Sequence, residues 1–298
     1  MPAAQIAGYG KVFDMEKEYE KKGYVENDFR IFHLHEREKM EASYHYHDFD
    51  KVILFLGGDV DYSIEGRKYS LRPYDIVLVR AGDIHSPIVR DRIPYERIIA
   101  YLSPDFMEKH RTSSYDLGRC FLEPGENGEK HFYVLRLDEP ERDSLLRICQ
   151  DLVDSFRHPD YAGVLYQQVL LLEFMILINR AVLNHHASSL QNALANEKTA
   201  QIVDYMNAHL TEELSVDGLA EHFFMSRSHL MHLFKAETGY SIGSYINEKR
   251  LLTAKLMIQK GLSVTDACYG SGFRDYSTFS RAFKKKFGTT PRNSGKIR

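Results

Sequence analysis

The chain has 298 residues and 43% hydrophobic content, enough for two compact cores, and a net charge of −3 that excludes a polybasic protein. Three cysteines, Cys120, Cys149 and Cys268, lie at no metal-ligand spacing; they exclude a disulfide framework and point to a reducing compartment. The N-terminus does not read as a signal peptide, and the most apolar run, 169–178, is short for a bilayer and contains Glu173, so a cytoplasmic chain with no membrane partner is expected.

From about residue 29 to 103 the hydrophobic period is two. Segments 30–35, 51–56, 60–64, 67–71, 75–79 and 98–102 read as strands, with turns at Gly57-Gly58, Glu65-Gly66 and Ala81-Gly82. Many short strands with frequent turns predict a small antiparallel barrel or jelly roll. In His45-Tyr46-His47 the two imidazoles are two residues apart and share one strand face. Pro73-Tyr74-Asp75 opens a strand that runs to Gly82-Asp83-Ile84-His85. A pocket inside the barrel is expected to be lined by His45, His47, His85, Tyr62 and Glu96. Three imidazoles can hold a transition metal. The carboxylate nearest to completing such a set is Asp50, which Lys51 follows, so the histidines are read as polar lining and no cofactor is expected. His33 and His35 read as an ordinary strand face.

Helices are expected over 104–117, 139–156 and 161–183. In the last, Val164, Leu165, Val169, Leu172, Met175 and Ile176 make an apolar surface wider than one barrel face covers, which predicts a homodimer contact. The small, polar stretch that follows His185 reads as a linker.

The C-terminal hundred residues carry one helical pattern twice. Leu214-Ser215-Val216 recurs as Leu262-Ser263-Val264, and Leu230, Phe234, Lys235 and Gly239 recur as Phe279, Phe283, Lys284 and Gly288. Each copy reads as a short helix, a turn and a second amphipathic helix, the helix-turn-helix pattern whose second helix fits the major groove of DNA. In the first copy, Ser215 and Ser226 are the predicted N-caps, and Leu230, Leu233 and Phe234 point inward. Arg227, Ser228, Met231 and His232 are left outward. In the second, Ser263 and Asp275 cap, Phe279, Ala282, Phe283 and Phe287 point inward, and Tyr276, Ser277, Thr278, Ser280 and Arg281 face out. Lys284, Lys285 and Lys286 follow. Residues 244–260 read as one connecting helix of roughly 25 Å, a suitable scale for two reading helices about one DNA turn apart. From residue 199 onward the net charge is +5, and the remainder carries −8, which fits contact with DNA by one part only.

Phe234-Lys235, Glu237-Thr238-Gly239, Tyr245-Ile246, Arg250, Ala254, Gly272-Phe273, Phe279, Arg281, Phe283-Lys284, Phe287-Gly288 and Pro291 together resemble the DNA-binding domain of the AraC/XylS family of bacterial transcription regulators. Ile242 stands where that family usually has proline. The resemblance covers about 199–292, and it implies base contacts by Ser228, Met231 and His232 in the first reading helix and by Tyr276, Ser277 and Arg281 in the second. Arg227, Thr278 and Lys285 complete the expected DNA-binding set. The histidine and Pro-Tyr-Asp motifs resemble the two motifs of the cupin barrel, the usual effector-sensing domain of the family, and imply a sugar or sugar derivative as effector. The expected fold is therefore α+β: an N-terminal antiparallel cupin or jelly-roll barrel with flanking helices over 1–184, a linker over 185–198, and an all-α tandem helix-turn-helix domain over 199–298. The expected function is sequence-specific transcription regulation, not catalysis, with double-stranded DNA, a carbohydrate effector, a second copy of the chain and RNA polymerase as partners.

Overall fold

The computed structural model describes residues 28–36, 44–90, 93–123, 130–158, 160–184, 186–189 and 197–294. Its N-terminal part is built on two sheets. The larger has the order β1 (Phe29–Glu36), β7 (Tyr95–Leu102), β2 (Asp50–Gly57), β5 (Ile76–Val79), β10 (Val134–Leu137), β11 (Ala187–Ser189). The smaller has the order β4 (Arg67–Ser70), β3 (Val60–Ile64), β6 (His85–Val89). A two-stranded ribbon joins β8 (Leu122–Glu123) and β9 (Lys130–His131). The strand ladders do not close into one barrel among the described residues.

Alternation along each strand explains the layering. On β2 and β7, Ile53, Phe55, Ile99 and Tyr101 face the smaller sheet, where they meet Val60, Tyr62, Ile64 and Val89. Val52, Leu54, Ile98 and Ala100 face the other way, onto α1 (Pro104–Lys109), α2 (Glu139–Arg157) and α3 (Gly163–Leu183). Strands covered on both faces read as near-continuous apolar runs. The β3–β4 turn is the two-residue hairpin Glu65-Gly66 with φ of 49° and 73°, the primed geometry that matches strand twist.

Three expectations change. Helix α1 ends at Lys109, because the Thr112 hydroxyl takes the Ser114 and Tyr115 N–H groups and offers the backbone an alternative to helix. The strand expected to run from Asp75 to His85 stops at Val79, and His85 opens β6 after a turn. Helix α3 is 21 residues long and apolar enough to cross a membrane by length and composition. Its Leu170, Leu171, Phe174, Met175 and Ile178 lie in the core, which accounts for that apolarity. Within the expected linker, 187–189 pair with β10, and 185 and 190–196 lie outside the described residues.

The C-terminal part is helical: α4 (Glu197–Ala208), α5 (Val216–His222), α6 (Arg227–Thr238), α7 (Ile242–Gln259), α8 (Val264–Gly270), α9 (Tyr276–Phe287) and α10 (Pro291–Ser294). Pro291, expected to stop the chain's last helix, instead starts a short one. Two cores flank α7. Leu219, Phe223, Leu230 and Phe234 pack with Tyr245 and Ile246; Phe273, Phe279 and Phe283 pack with Leu251, Ala254 and Ile258. One unbroken helix thus ties both units together.

Candidate functional site

Helices α5 and α6 form the first helix-turn-helix, α8 and α9 the second. Each helix starts on the cap expected for it. Ser215 accepts from Gly218 N–H at 3.0 Å, Ser226 from His229 at 3.3 Å, Ser263 from Asp266 at 3.0 Å and Asp275 from Thr278 at 2.6 Å. Gly239 and Gly288 end α6 and α9 in the left-handed region. Inward anchoring by Leu230 and Phe234 turns Ser228, Met231 and His232 to solvent, and anchoring by Phe279 and Phe283 does the same for Ser277, Thr278, Arg281 and Lys285. Two expected members do more than face out. Arg227 is paired with Asp217 at 2.6 Å, bracing α5 against α6, and Tyr276 is half-buried against Phe279. Arg281 is exposed, and its Nε donates to the Ser277 carbonyl at 3.2 Å.

A second cluster lies inside the N-terminal part. His45, His47 and His85 are all buried, and one nitrogen from each lies within 4.8 Å of the others. Residues 44–47 are not in a strand, yet their period of two persists: His45 and His47 turn inward. A backbone bridge joins His45 and His85, and His47 O accepts from Gly82 N at 2.8 Å. His85 Nδ1 lies 2.9 Å from the Asp83 carbonyl. Tyr62 lies near-parallel to the His85 ring at 6.1 Å, as an expected lining residue should. Glu96 does not join them. It shares the face of Ile98 and Ala100, on the opposite side of β7 from Tyr101, and pairs with His33 at 2.9 Å. Asp50 is likewise on the face away from the histidines, and accepts from Ala81 N at 2.8 Å. Lys51, which sequence reasoning does not count as lining, stands on the histidine side, its ammonium 5.5 Å from the Tyr101 ring centre. Burial, with the Lys51 charge added, lowers His47 to about 2 and His85 well below the usual imidazole range, so both rings are neutral.

The two parts touch, and the contact is polar and buried. Glu65, at the β3–β4 turn, accepts from the Tyr245 hydroxyl, from Asn207 at 3.2 Å and from Ile84 N at 2.6 Å, and pairs with Lys249 at 2.9 Å. Lys249 also donates to the Gly82 carbonyl at 2.9 Å. Burial alone would raise the Glu65 carboxyl, but Lys249 and the hydrogen bonds outweigh it and hold it below the ordinary value. Nearby, Lys255 pairs with Asp48 at 2.8 Å, Tyr46 donates to Glu248, and the Tyr44 ring packs on Gly239. The histidine-bearing segment therefore sends alternate side chains to opposite sides, imidazoles into the sheets and tyrosines onto the helical unit. A separate crevice of about 700 Å³ opens beside α3, lined in part by Tyr115, Arg119, Ile176, Asn179, Arg180 and Leu183.

Comparison with known proteins separates the same two parts. The AraC-like ligand binding domain family matches residues 31–156, and the helix-turn-helix domain family matches 219–296; together they span more than half of the chain. The HTH-type transcriptional activator RhaS of Citrobacter koseri is 24% identical over 252 residues, 84% of this chain and 86% of that protein. RhaS of Shigella sonnei gives the same figures. Among solved structures, an apo single-substitution variant of ToxT from Vibrio cholerae aligns over 92% of this chain and 99% of that one at 13% identity and a TM-score of 0.41. An AraC-type regulator from Chromobacterium violaceum aligns over 34% of this chain and 90% of its own at 31% identity and a TM-score of 0.32. A ligand-binding domain followed by tandem helix-turn-helix units defines a DNA-binding transcription regulator. The chain belongs to the AraC/XylS family.

Proposed function

We propose that this protein is a cytoplasmic, sequence-specific regulator in which the sheet-rich part, a cupin-type fold that takes in β11, senses a small molecule and the helical unit from α4 onward reads DNA through both α6 and α9. The observation that carries the reading is the pair of exposed helix faces held on one unbroken α7. At 18 residues α7 spans about 27 Å, comparable with the spacing of successive major-groove faces on one side of a duplex. Ser228, Met231 and His232 make the first base-reading set, and Tyr276, Ser277, Thr278 and Arg281 the second; Arg227 and Lys285 serve the backbone.

The effector we propose is hydroxyl-rich, a sugar or sugar derivative, because His45, His47, His85 and Tyr62 offer both donors and acceptors on the inner face of the sheets. Homodimerisation is proposed through α3, where Val164, Leu165, Tyr166 and Val169 are each at least half exposed. A dimer on DNA would then contact RNA polymerase. The test is footprinting and gel-shift titration on the DNA flanking the gene, with and without a panel of sugars. A protected site of two adjacent major-groove segments is expected, with occupancy changed by one sugar. No preference over random DNA would overturn the DNA reading, and a site indifferent to the whole panel would overturn the carbohydrate reading alone.

A further inference from the structure

We propose that the crevice between α3 and the 110–119 segment is a second small-molecule site, built for an amphipathic carboxylate: an apolar ring or short chain that ends in a carboxylate. The site is separate from the histidine pocket. Leu117 and the buried face of α3 pack with Val52 and Leu54 on one side of the larger sheet, whereas His47 stacks on Phe49, which packs with Tyr101 on the other. It therefore stands or falls independently of the function proposed above.

The first ground is a preformed concavity of suitable size. Its volume of about 700 Å³ lies within the roughly 300–1,000 Å³ of sites for small ligands. Its two walls are tied together, because Asn179 on α3 donates to the Leu117 carbonyl at 2.9 Å. The facing segment is braced in turn by the Thr112 N–H on the Tyr115 carbonyl at 2.8 Å and by Arg111 on Asp116 at 2.9 Å.

The second ground is apolar surface. Tyr115, Ile176 and Leu183 are exposed, and all three line this one crevice. Single exposed apolar side chains are ordinary, but three converging on one concavity form a surface that is stabilised by being covered. The apolar body of a ligand removes water from all three at once.

The third ground is charge. Arg119 and Arg180 line the same crevice. The acid that lines it, Asp116, is already committed to Arg111 and to the Gly118 N–H at 2.8 Å. A guanidinium matches a planar carboxylate through two parallel hydrogen bonds. Inorganic phosphate meets the same cations but covers none of the apolar wall, so the joint pattern selects an anion with an apolar body.

The fourth ground is an orphaned acceptor. Asn179 lines the crevice and is only 8% exposed. Its Nδ2 is used twice, on the Leu117 and Met175 carbonyls, while its Oδ1 is buried with no partner among the described residues. Buried polar groups are normally satisfied, and a donor carried by a ligand beside its carboxylate would meet this one.

The experiment uses the full chain and 1-naphthaleneacetate, followed by the fluorescence anisotropy of the probe. One equivalent per chain should bind saturably. The neutral 1-naphthaleneacetamide, the same ring without the charge, should bind about tenfold more weakly or worse, and millimolar phosphate should not displace the acid. Arg180→Gln should weaken the acid about tenfold and leave the amide unchanged, and Ile176→Ser should weaken both. Both side chains are exposed, so melts by circular dichroism should match the wild type. Arg147→Gln, which removes an exposed arginine of α2 outside the crevice, should bind as the wild type does. No saturable binding at millimolar probe, equal affinity for acid and amide, or indifference to both Arg180→Gln and Ile176→Ser would overturn the site. So would probe binding that disappears as protein concentration rises into the range of a dimer, because a second copy of the chain would then be the occupant.

Discussion

Single side chains in this molecule divide by what burial does to them. Arg281 is exposed on α9, and a guanidinium can grip guanine O6 and N7 together. Arg281→Ala should cost about 1–3 kcal/mol of DNA affinity and relax preference at one base pair, read by gel shift on a set of single-base operator variants. An equal loss on every sequence would make Arg281 a phosphate contact instead. Asp50 shows the opposite situation. Burial raises its carboxyl from 3.8 to about 6, despite the Ala81 N–H and the nearby Arg80 and Arg111 charges. A raised carboxyl is bound to its proton more tightly in the folded state, so its ionisation costs stability as pH climbs from about 4 to 6 and at a constant level above. Asp50→Asn keeps an acceptor for Ala81 and removes the charge. It should raise stability by about 1–3 kcal/mol at pH 7.5, with the advantage vanishing below about pH 4. Denaturant melts at the two pH values check this; equal stability of the two proteins at pH 7.5 would refute it.

At the scale of elements, the decisive contacts are those that set helix against helix. Gly272 sits at the junction of the two helix-turn-helix units with φ of +94°. A Cβ there would meet the Leu210 carbonyl at 2.5 Å and Arg250 Nε at 2.8 Å. Arg250 holds that junction by donating to Leu210 O at 2.9 Å and Glu212 O at 2.6 Å. Gly272→Ala should therefore destabilise by about 2 kcal/mol or more, beyond the cost of the backbone conformation alone, and should weaken DNA binding by misaligning α6 and α9. A melt and a gel shift within error of wild type would contradict the claim that the units form one body. These elements are the most legible part of the sequence. Caps at Ser215, Ser226, Ser263 and Asp275 and the inward phenylalanines are local signals at fixed spacing. The sheets are legible as strands but not as an architecture, because alternation records which face is buried and not which strand is the neighbour. Glu96 is misplaced by sequence reasoning for that reason. Parity along β7 puts it with Ile98 and Ala100, but only pairing with β1 shows that this face belongs to the helices and to His33. Lys51 escapes notice because a lysine inside a strand reads as solvent-facing until the second sheet covers it.

For the whole molecule, the contact between the two parts is the feature least visible in sequence, since its partners lie 137 to 207 residues apart. It rests on charge satisfied inside the fold. Lys249 stands 2.9 Å from Glu65 and 3.7 Å from Asp83, and both carboxylates are buried. Removing the cation leaves the Glu65 carboxylate without its charge partner and Asp83 with Arg80 alone at 3.7 Å, a change that costs about 3–5 kcal/mol in buried pairs. Lys249→Met should therefore loosen the docked arrangement at pH 7.5, and hydrogen exchange should rise together at 82–85, around Tyr44 and Tyr46, and along α7. The pH dependence carries the sign. In the wild type the Glu65 carboxyl is depressed, so its contribution is complete above the ordinary value of 4.5 and is lost as pH falls through the lower folded value. In Lys249→Met the depressing charge is gone and burial dominates, so acidification toward pH 5 should restore protection by neutralising Glu65. The double variant Glu65→Gln with Lys249→Met should then recover much of the loss at neutral pH, because the buried charge and its partner leave together. If Lys249→Met exchanges like the wild type at every pH, the ion pair does not hold the two parts together, and their contact must rest on the Tyr44 and Ile84 packing instead.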